Sequence, residues 1–337
     1  MIVTPHFRRM TEIFSERDRA RLDELAHVVW GRDEPMPSAA FEAALPAAAA
    51  VVFGTWTFGP DALQQAGRGL RAILEVAGTL RHDDLDTGWC LAHSVAVGSC
   101  APAFGPVVAE MALALTLAAS RDIIGGDRQF RRATERYLHE GCENAFTLFG
   151  KTVGFIGCGG LARALQRLIA PFGVSILGFD PWLTSEELRG RGIEPAGLVN
   201  LVEASDVIYV LAAPTPSNRA MIDRSLLERI RPDTVFVLVS RAHLVDFYAL
   251  TEYVLQGRFR AAIDVFPDEP VPADHPIRRA ENAVLSAHRA GALPEALHEI
   301  GRMVVDDLAA IFAGATPHSM QYATPELIAR MGEEPTP

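Results

Sequence analysis

Two rhythms of apolar and polar positions divide this chain. Short continuous apolar runs, rich in Val, Ile and Leu, occur at residues 48–53, 70–76, 93–97, 151–156, 174–179, 207–212, 234–239, 261–266 and 283–286, and a weaker one at 26–30. Runs of that length bounded by Gly, Pro or Asp read as buried strands. Between them apolar residues recur every three or four positions, predicting helices near 17–25, 108–121, 198–204, 224–230, 246–255 and 295–312, and a partly helical stretch within 128–145. Continuous apolar strands alternating with helices imply a parallel sheet covered on both faces, hence an α/β fold. The first strand is expected to be very short, because only residues 1–4 precede polar sequence, so one sheet edge is trimmed. Two Pro/Gly-bearing stretches, 101–106 (APAFGP) and 290–294, are candidate hinges.

The pattern is sharpest over residues 150–180, GKTVGFIGCGGLARALQRLIAPFGVSILGFD. A β-branched strand runs into Gly157-Cys158-Gly159-Gly160-Leu161-Ala162, a G-x-G-x-x-[GA] turn. Next comes a helix with Leu161, Leu165, Leu168, Ile169 and Phe172 on one face, stopped by Pro171 and Gly173, and a second strand ends at Asp180. In this setting the motif indicates a dinucleotide site. Gly157 permits the tight turn, Gly159 lets the backbone approach a pyrophosphate, and Ala162 is small enough for close helix–strand packing. Gly160 and Leu161 open the helix, whose unpaired N–H groups attract phosphates. Asp180 can accept the ribose hydroxyls and would repel the extra phosphate of NADP, which favours NAD.

Composition narrows the chemistry. The chain has 337 residues, enough for two domains, and a net charge of −11, which disfavours nucleic-acid or anionic-membrane partners. Arg128, Arg132 and Arg136 are expected on one solvated or subunit-contact helix face. Arg8 and Arg9 lead into polar sequence, so no signal peptide is expected, and the apolar stretch 107–119 with Glu110 reads as too short to cross a bilayer. Four cysteines without C-x-x-C spacing suggest neither zinc nor disulfides, and no metal is expected. A cytoplasmic location is the expectation. Lys151 is the only lysine. It precedes the first strand of the nucleotide unit, so Schiff-base chemistry, a phosphate-loop lysine and a Tyr-Lys dehydrogenase site are excluded.

Three strand ends carry reactive side chains. Ser240-Arg241-Ala242 succeeds strand 234–239, and a guanidinium there suits a carboxylate or a carbonyl oxygen gaining charge. Asp264-Val265-Phe266-Pro267-Asp268-Glu269-Pro270 lies at the end of strand 261–266, where Asp264 could reach a nicotinamide carboxamide or satisfy a loop, and Glu269 taken alone is a loop acid. Ser286-Ala287-His288-Arg289 closes the last strand, where His288 could serve as proton donor and acceptor or as a structural imidazole. Asp246 is expected to cap the helix after it.

The chain resembles the D-isomer-specific 2-hydroxyacid dehydrogenase family, which includes phosphoglycerate dehydrogenases and hydroxypyruvate reductases. The resemblance covers about residues 70–316. It rests on VAGTLRHDDLD, VVAEMALALTLAASR, GKTVGFIGCGG, LAAPTPSNRAMID, SRAHLVD, DVFPDEP and HRAGALPEA in family order. It implies a Rossmann-type doubly wound parallel sheet domain, residues 102–291, inserted into a smaller flavodoxin-like α/β substrate domain, residues 1–101 plus 292–337. It implies a homodimer and an NAD-dependent oxidoreductase acting on the CH–OH group of a 2-hydroxy acid. Arg241 would then hold the substrate's carboxylate and carbonyl, and His288, paired with Glu269, would be the acid/base. Gly157, Gly159, Gly160, Leu161, Asp180, Pro214, Ser240 and Asp264 would hold NAD. The backbone of Ala77, Gly78, Thr79 and Leu80 would receive the substrate carboxylate, with Trp56 and Arg81 in the pocket. Leu238 and Ala242 depart from the family's usual asparagine and glycine. If position 242 needs a positive φ, alanine strains the turn. The alternatives are an NAD-sensing interaction protein of the corepressor type, and a phosphite-type dehydrogenase.

Overall fold

The computed structural model describes residues 1–80, 84–143 and 145–332. They fall into two compact units, Met1–Gly105 with Ala292–Gly332, and Pro106–Gly291.

The smaller unit starts with β1 (Ile2–Thr4), α1 (Met10–Ile13), α2 (Glu16–Leu25), α3 (Ser38–Ala44), β2 (Ala50–Phe53), β3 (Ala72–Glu75), α4 (Thr87–Ala92) and β4 (Ala96–Ser99). Strands β1 to β4 are parallel and lie in sequence order. Successive strand residues face opposite sides, which sorts the core into two layers. Val3, Val52 and Leu74 meet Ile13, Leu22, Ile300, Val304 and Leu308 on one face. Ile2, Val51 and Ile73 meet Phe41, Trp56, Leu63 and Val97 on the other. The expected strand at 26–30 is not one. Its chain does lie along β1, with the N–H groups of Val29 and Gly31 donating to the carbonyls of Met1 and Val3, 2.9 Å each. Gly31 at φ +66 then turns the backbone away before a ladder forms.

Residues 101–106 are not a hinge loop either. They open α5 (Ala101–Ser120), a single helix with Pro106 inside it. Pro102 sits in the first turn, where its missing N–H costs nothing, and only Pro106 removes an internal bond. At 20 residues α5 is, by length and apolar composition, sufficient to cross a membrane, which removes the length argument made from 107–119. Here Ala109, Ala112, Leu115 and Ala119 pack into a core.

The larger unit continues through α6 (Ile123–Arg131), β5 (Thr152–Ile156), α7 (Gly160–Ile169), β6 (Ser175–Phe179), α8 (Ser185–Gly190), β7 (Glu194–Pro195), α9 (Leu198–Ala204), β8 (Val207–Val210), α10 (Arg224–Glu228), β9 (Val235–Leu238), α11 (Phe247–Leu255), β10 (Arg260–Ile263) and β11 (Ala283–Leu285). The seven strands are all parallel, in the order β11-β10-β9-β8-β5-β6-β7. That is a doubly wound sheet whose order reverses between β5 and β8, where such sheets bind ligands at the carboxyl edge. Phe155, Tyr209 and Val237 face one core layer, and Ile156, Ile208, Phe236 and Ile263 the other. Helix α6 ends at Arg131, so Arg128, Arg132 and Arg136 share no helical face. Arg136 instead pairs with Glu143 at 3.1 Å. Asp246 caps α11, accepting from Ala249 N–H at 3.0 Å.

The chain then returns to the smaller unit as α12 (Pro294–Phe312), β12 (Gln321–Tyr322) and α13 (Pro325–Gly332). Strand β12 pairs antiparallel with β4 and completes a five-stranded sheet. Buried Asp307 on α12 fixes this return. Its carboxylate accepts from the N–H groups of His318, Ser319 and Met320 and from the Tyr322 hydroxyl.

Candidate active site

In the larger unit, β5 delivers the chain to the glycine turn. Gly157 has φ +92, and a Cβ there would lie 2.5 Å from the Ala212 backbone, so both conformation and space demand glycine. Above Gly159 and Gly160 no atom lies within 4 Å of where a Cβ would be. Gly159 is the N-cap of α7 and provides no side-chain cap, so the helix's first N–H groups are left for a ligand. Asp180 reaches back from β6. One carboxylate oxygen accepts from Cys158 N–H at 2.8 Å and the other from Trp182 N–H at 2.9 Å. Each oxygen keeps a lone pair for a sugar hydroxyl. An open glycine shelf, an uncapped helix start and an anchored carboxylate fit a dinucleotide.

The register aligns Val210, Leu238, Ile263 and Leu285 as last residues of β8 to β11. The loops beyond these four residues therefore leave the sheet along one edge. Ser240 is buried, and its hydroxyl has no hydrogen-bond partner among the described residues. Among the described residues Arg241 donates to the Ser240 carbonyl alone, at 2.8 Å. Desolvation lowers its guanidinium pKa, with the Glu269 carboxylate acting against that shift. Pro214 lies exposed on the loop after β8.

Asp264 is fully buried, and its two carboxylate oxygens accept from Arg289 N–H at 3.0 Å and Ala290 N–H at 3.1 Å. Its carbonyl takes the His288 N–H at 2.7 Å. Of its two expected roles, the structure shows the loop-satisfying one: it ties down the backbone that carries His288. That backbone is strained, with His288 at φ +51, a conformation costing a non-glycine residue about 1–3 kcal/mol. His288 Nδ1 meets Glu269 Oε2 at 2.6 Å, and Glu269 Oε1 accepts from Phe266 N–H at 2.9 Å. The carboxylate is thus fixed at one end and orients the imidazole at the other. With Nδ1 donating to Glu269, Nε2 is the atom left for proton transfer.

The smaller unit differs from expectation. The N–H groups of Ala77, Gly78 and Thr79, expected to receive a substrate carboxylate, converge on Glu75, with Gly78 and Thr79 at 3.0 and 3.1 Å. Ser99 Oγ donates to the same carboxylate at 2.8 Å. Burial outweighs these donors and pushes the Glu75 carboxyl up from 4.5 to about 7. The only sign of this in the sequence is an acid inside an apolar run. Trp56, expected in the pocket, is core instead. It is 6% exposed, packed edge-on against Phe41, Phe53 and Phe58, and its indole N–H donates to Gly59. Leu80 is buried. Arg81 lies outside the described residues.

The sequence profile of the D-isomer specific 2-hydroxyacid dehydrogenase NAD binding domain matches residues 113–290. A D-3-phosphoglycerate dehydrogenase of Mycobacterium tuberculosis is 33% identical over 69% of this chain, but the match spans only 43% of that relative's length. A glyoxylate reductase of Korarchaeum cryptofilum is 27% identical over 92% of this chain and 94% of its own. Among solved structures, a phosphoglycerate oxidoreductase from Rhizobium etli superimposes with a TM-score of 0.84 at 33% identity, covering 96% of this chain and 98% of its own. The chain belongs to the D-isomer-specific 2-hydroxyacid dehydrogenase family, and its larger unit carries that family's NAD-binding domain.

Proposed function

We propose that the protein is an NAD-dependent oxidoreductase that interconverts a 2-oxo acid and the corresponding 2-hydroxy acid. The observation carrying this reading is the 2.6 Å His288–Glu269 pair on the same sheet edge as Arg241 and the glycine turn. Bound NAD(H) supplies or accepts the hydride. The remaining work falls to the chain. Arg241 holds the carboxylate and offsets the negative charge that grows on the former carbonyl oxygen. His288 gives its Nε2 proton to that oxygen in reduction and takes it back in oxidation. Glu269 keeps the imidazole in the tautomer this requires and stabilises its cation. Gly159, Gly160 and Leu161 receive the pyrophosphate, Asp180 the ribose, and Ser240 and Pro214 line the cofactor's path.

A homodimer formed through the larger unit belongs to the same proposal. Ile123, Phe130, Tyr137 and Leu138, four large apolar side chains within sixteen residues of sequence, stand exposed there, Leu138 by 89%, which supports burial against a second copy.

The test measures NADH oxidation with glyoxylate, pyruvate, hydroxypyruvate and bulkier 2-oxo acids. Turnover with at least one is expected. Tight NADH binding without turnover on any of them would replace this reading with a dinucleotide-sensing role.

A further inference from the structure

Arg128 shares no helical face with Arg132 and Arg136, but the fold gives it other company. It lines a groove of about 520 Å³ together with Arg278, Arg279 and Glu281, and Ile124 and Leu285 contribute to the apolar part of the wall. All of these residues belong to the larger unit.

The local sequence explains how each arrives. Ile124 and Arg128 are one turn apart on α6, so they share a face, and Ile123 and Phe130 lie on another. The 3-10 turn Pro276–Arg279 carries Arg278 and Arg279 towards the start of β11. Arg278 is fixed there, its Nε donating to the Pro272 carbonyl at 2.8 Å and one Nη to the Val271 carbonyl at 2.7 Å. Strand β11 is the edge of its sheet. Ser286 N–H donates to the Ile263 carbonyl at 2.9 Å, and Leu285 is the residue in register with Ile263. In a parallel ladder that register turns the N–H of Leu285 away from β10.

Three observations separate this groove from an ordinary solvated face. Three guanidiniums line it against one carboxylate, on a chain whose net charge is −11. Among the described residues Arg128 and Arg279 have neither a hydrogen-bond nor a carboxylate partner, and Glu281 pairs with neither. Other exposed arginines of this unit are neutralised: Arg131 holds Asp127 at 2.9 Å, Arg229 holds Glu203 at 2.8 Å and Arg231 holds Asp206 at 2.8 Å. Like charges gathered without counter-charge repel one another, and a bound anion relieves that repulsion. The third observation is room. A volume of 520 Å³ falls within the roughly 300–1,000 Å³ of small-molecule sites, more than a single phosphate fills. Guanidinium forks match phosphate oxygens, and an excess of two positive charges suits two phosphate groups. An acidic peptide adding as a further strand fits less well, because β11 is only three residues long. Nor is this the cofactor's phosphate site. The glycine turn follows β5, four strands from β11, a separation of about 19 Å at ~4.8 Å per strand.

We propose that the groove between α6 and β11 binds a small metabolite carrying two phosphate groups, held by Arg128, Arg278 and Arg279. The site is independent of the oxidoreductase reading, since it is defined by binding and uses none of the residues assigned to turnover.

The experiment is isothermal titration calorimetry on the whole protein saturated with NADH, which keeps the glycine turn filled; unchanged nicotinamide fluorescence verifies that NADH stays bound. Pyrophosphate and fructose 1,6-bisphosphate are the probes, one with joined and one with separated phosphates. At least one should bind with a stoichiometry of one per chain, and the tighter of the two defines the spacing the site prefers. Arg128→Gln and Arg279→Gln should each weaken that binding about tenfold and the double variant about 100-fold. Arg279→Lys, which keeps the charge and loses the fork, should fall between wild type and Arg279→Gln. Orthophosphate should bind at least about tenfold more weakly than the better probe. Arg241→Gln, at the catalytic edge, and Arg167→Gln, on the surface of α7, should leave the affinity within about twofold. Absence of binding by both probes, an unchanged affinity in the double variant, or an equal loss in Arg241→Gln or Arg167→Gln overturns the proposal. Orthophosphate binding as tightly as both probes overturns the assignment to two phosphate groups. Melting temperatures within a few degrees of each other establish that the variants are folded.

Discussion

Each unit carries a sheet with a parallel core, and among the described residues each sheet's carboxyl edge holds one buried side-chain polar atom without a partner: Ser240 Oγ in the larger unit, Arg8 Nε in the smaller. The edges otherwise differ. In the larger unit the chain spends its own polar groups on posture. Asp264 holds the His288 backbone, Glu269 holds the His288 ring, and Asp180 holds the glycine turn, while among the described residues Arg241 bonds its neighbour's carbonyl and the first N–H groups of α7 have no side-chain cap. In the smaller unit a carboxylate of the chain fills the concavity that backbone N–H groups make. The first edge is preorganised for ligands. The second stabilises itself.

The strongest way to break that contrast is at His288. His288→Ala removes the proton donor and should lower turnover by about 10²–10⁴-fold while NADH still binds, because no part of the glycine turn depends on the imidazole. Near-wild-type turnover would reduce the Glu269 pair to a structural contact. The φ of +51 is unfavourable for alanine too, so the melting temperature should change little and does not confound the rate.

Next in size comes the cofactor end. Like unit charges about 4 Å apart at an effective dielectric near 20 repel by roughly 4 kcal/mol, so Asp180 should make NADPH a poor substitute for NADH. Asp180→Ala should raise the ratio of kcat/KM for NADPH over NADH by at least about tenfold, with about 10³-fold as the ceiling that repulsion permits. A wild type that prefers NADPH in side-by-side kinetics would end the argument. Arg191, which donates to the Cys158 carbonyl at 3.1 Å, is the group to look to in that event.

Sequence reading served the two edges unequally, for a physical reason. Arg241, Asp264, Glu269 and His288 each sit within a few residues of an apolar strand's end, so a parallel sheet brings them together wherever its strands are recognised. Glu75 acquires meaning only when the loop after it folds back and Ser99 on the neighbouring strand comes alongside, which no local pattern encodes. Proline misled at 101–106, because at a helix start it does not break the helix. Residues 26–30 have strand composition and run beside Met1 and β1, bonded at His27, Val29 and Gly31, but the chain turns away before a ladder forms. Trp56 entered the expected pocket only through the family resemblance, and in the fold three neighbouring rings claim it.

Glu75 gives a smaller effect, on stability. Its carboxyl is raised from 4.5 to about 7 in the fold, so the native state keeps a proton that the unfolded chain releases. The protonated form's contribution is complete below about pH 4.5, declines as pH rises, and is gone above about pH 7, a loss of about 3 kcal/mol. Glu75→Gln, always neutral and similar in shape, should lack this decline. Denaturant titrations at pH 5 and pH 8 would show the variant gaining on the wild type at the higher pH. A stability difference that is the same at both would mean that the four donors, not burial, set the protonation of Glu75.

The smallest effect is expected at Ala242, and it sharpens the picture of the larger unit's edge. A glycine is usual there in the family, and a positive φ would make alanine a source of strain beside Arg241. The structure removes that concern: Ala242 opens the 3-10 turn Ala242–Leu244 and is not among the positive-φ residues, while its side chain is 6% exposed and packs with Leu238, Leu244 and Val245. Ala242→Gly therefore has no strain to relieve. It gives up a buried methyl and adds backbone freedom to the unfolded chain, which together should cost about 1 kcal/mol of stability. Turnover should stay within about twofold, since Arg241 takes its position from the strand before it and the turn after it. A several-fold gain in kcat/KM on restoring the glycine would show that the turn active in catalysis differs from the 3-10 turn described, and that this edge is less preorganised than its hydrogen bonds imply.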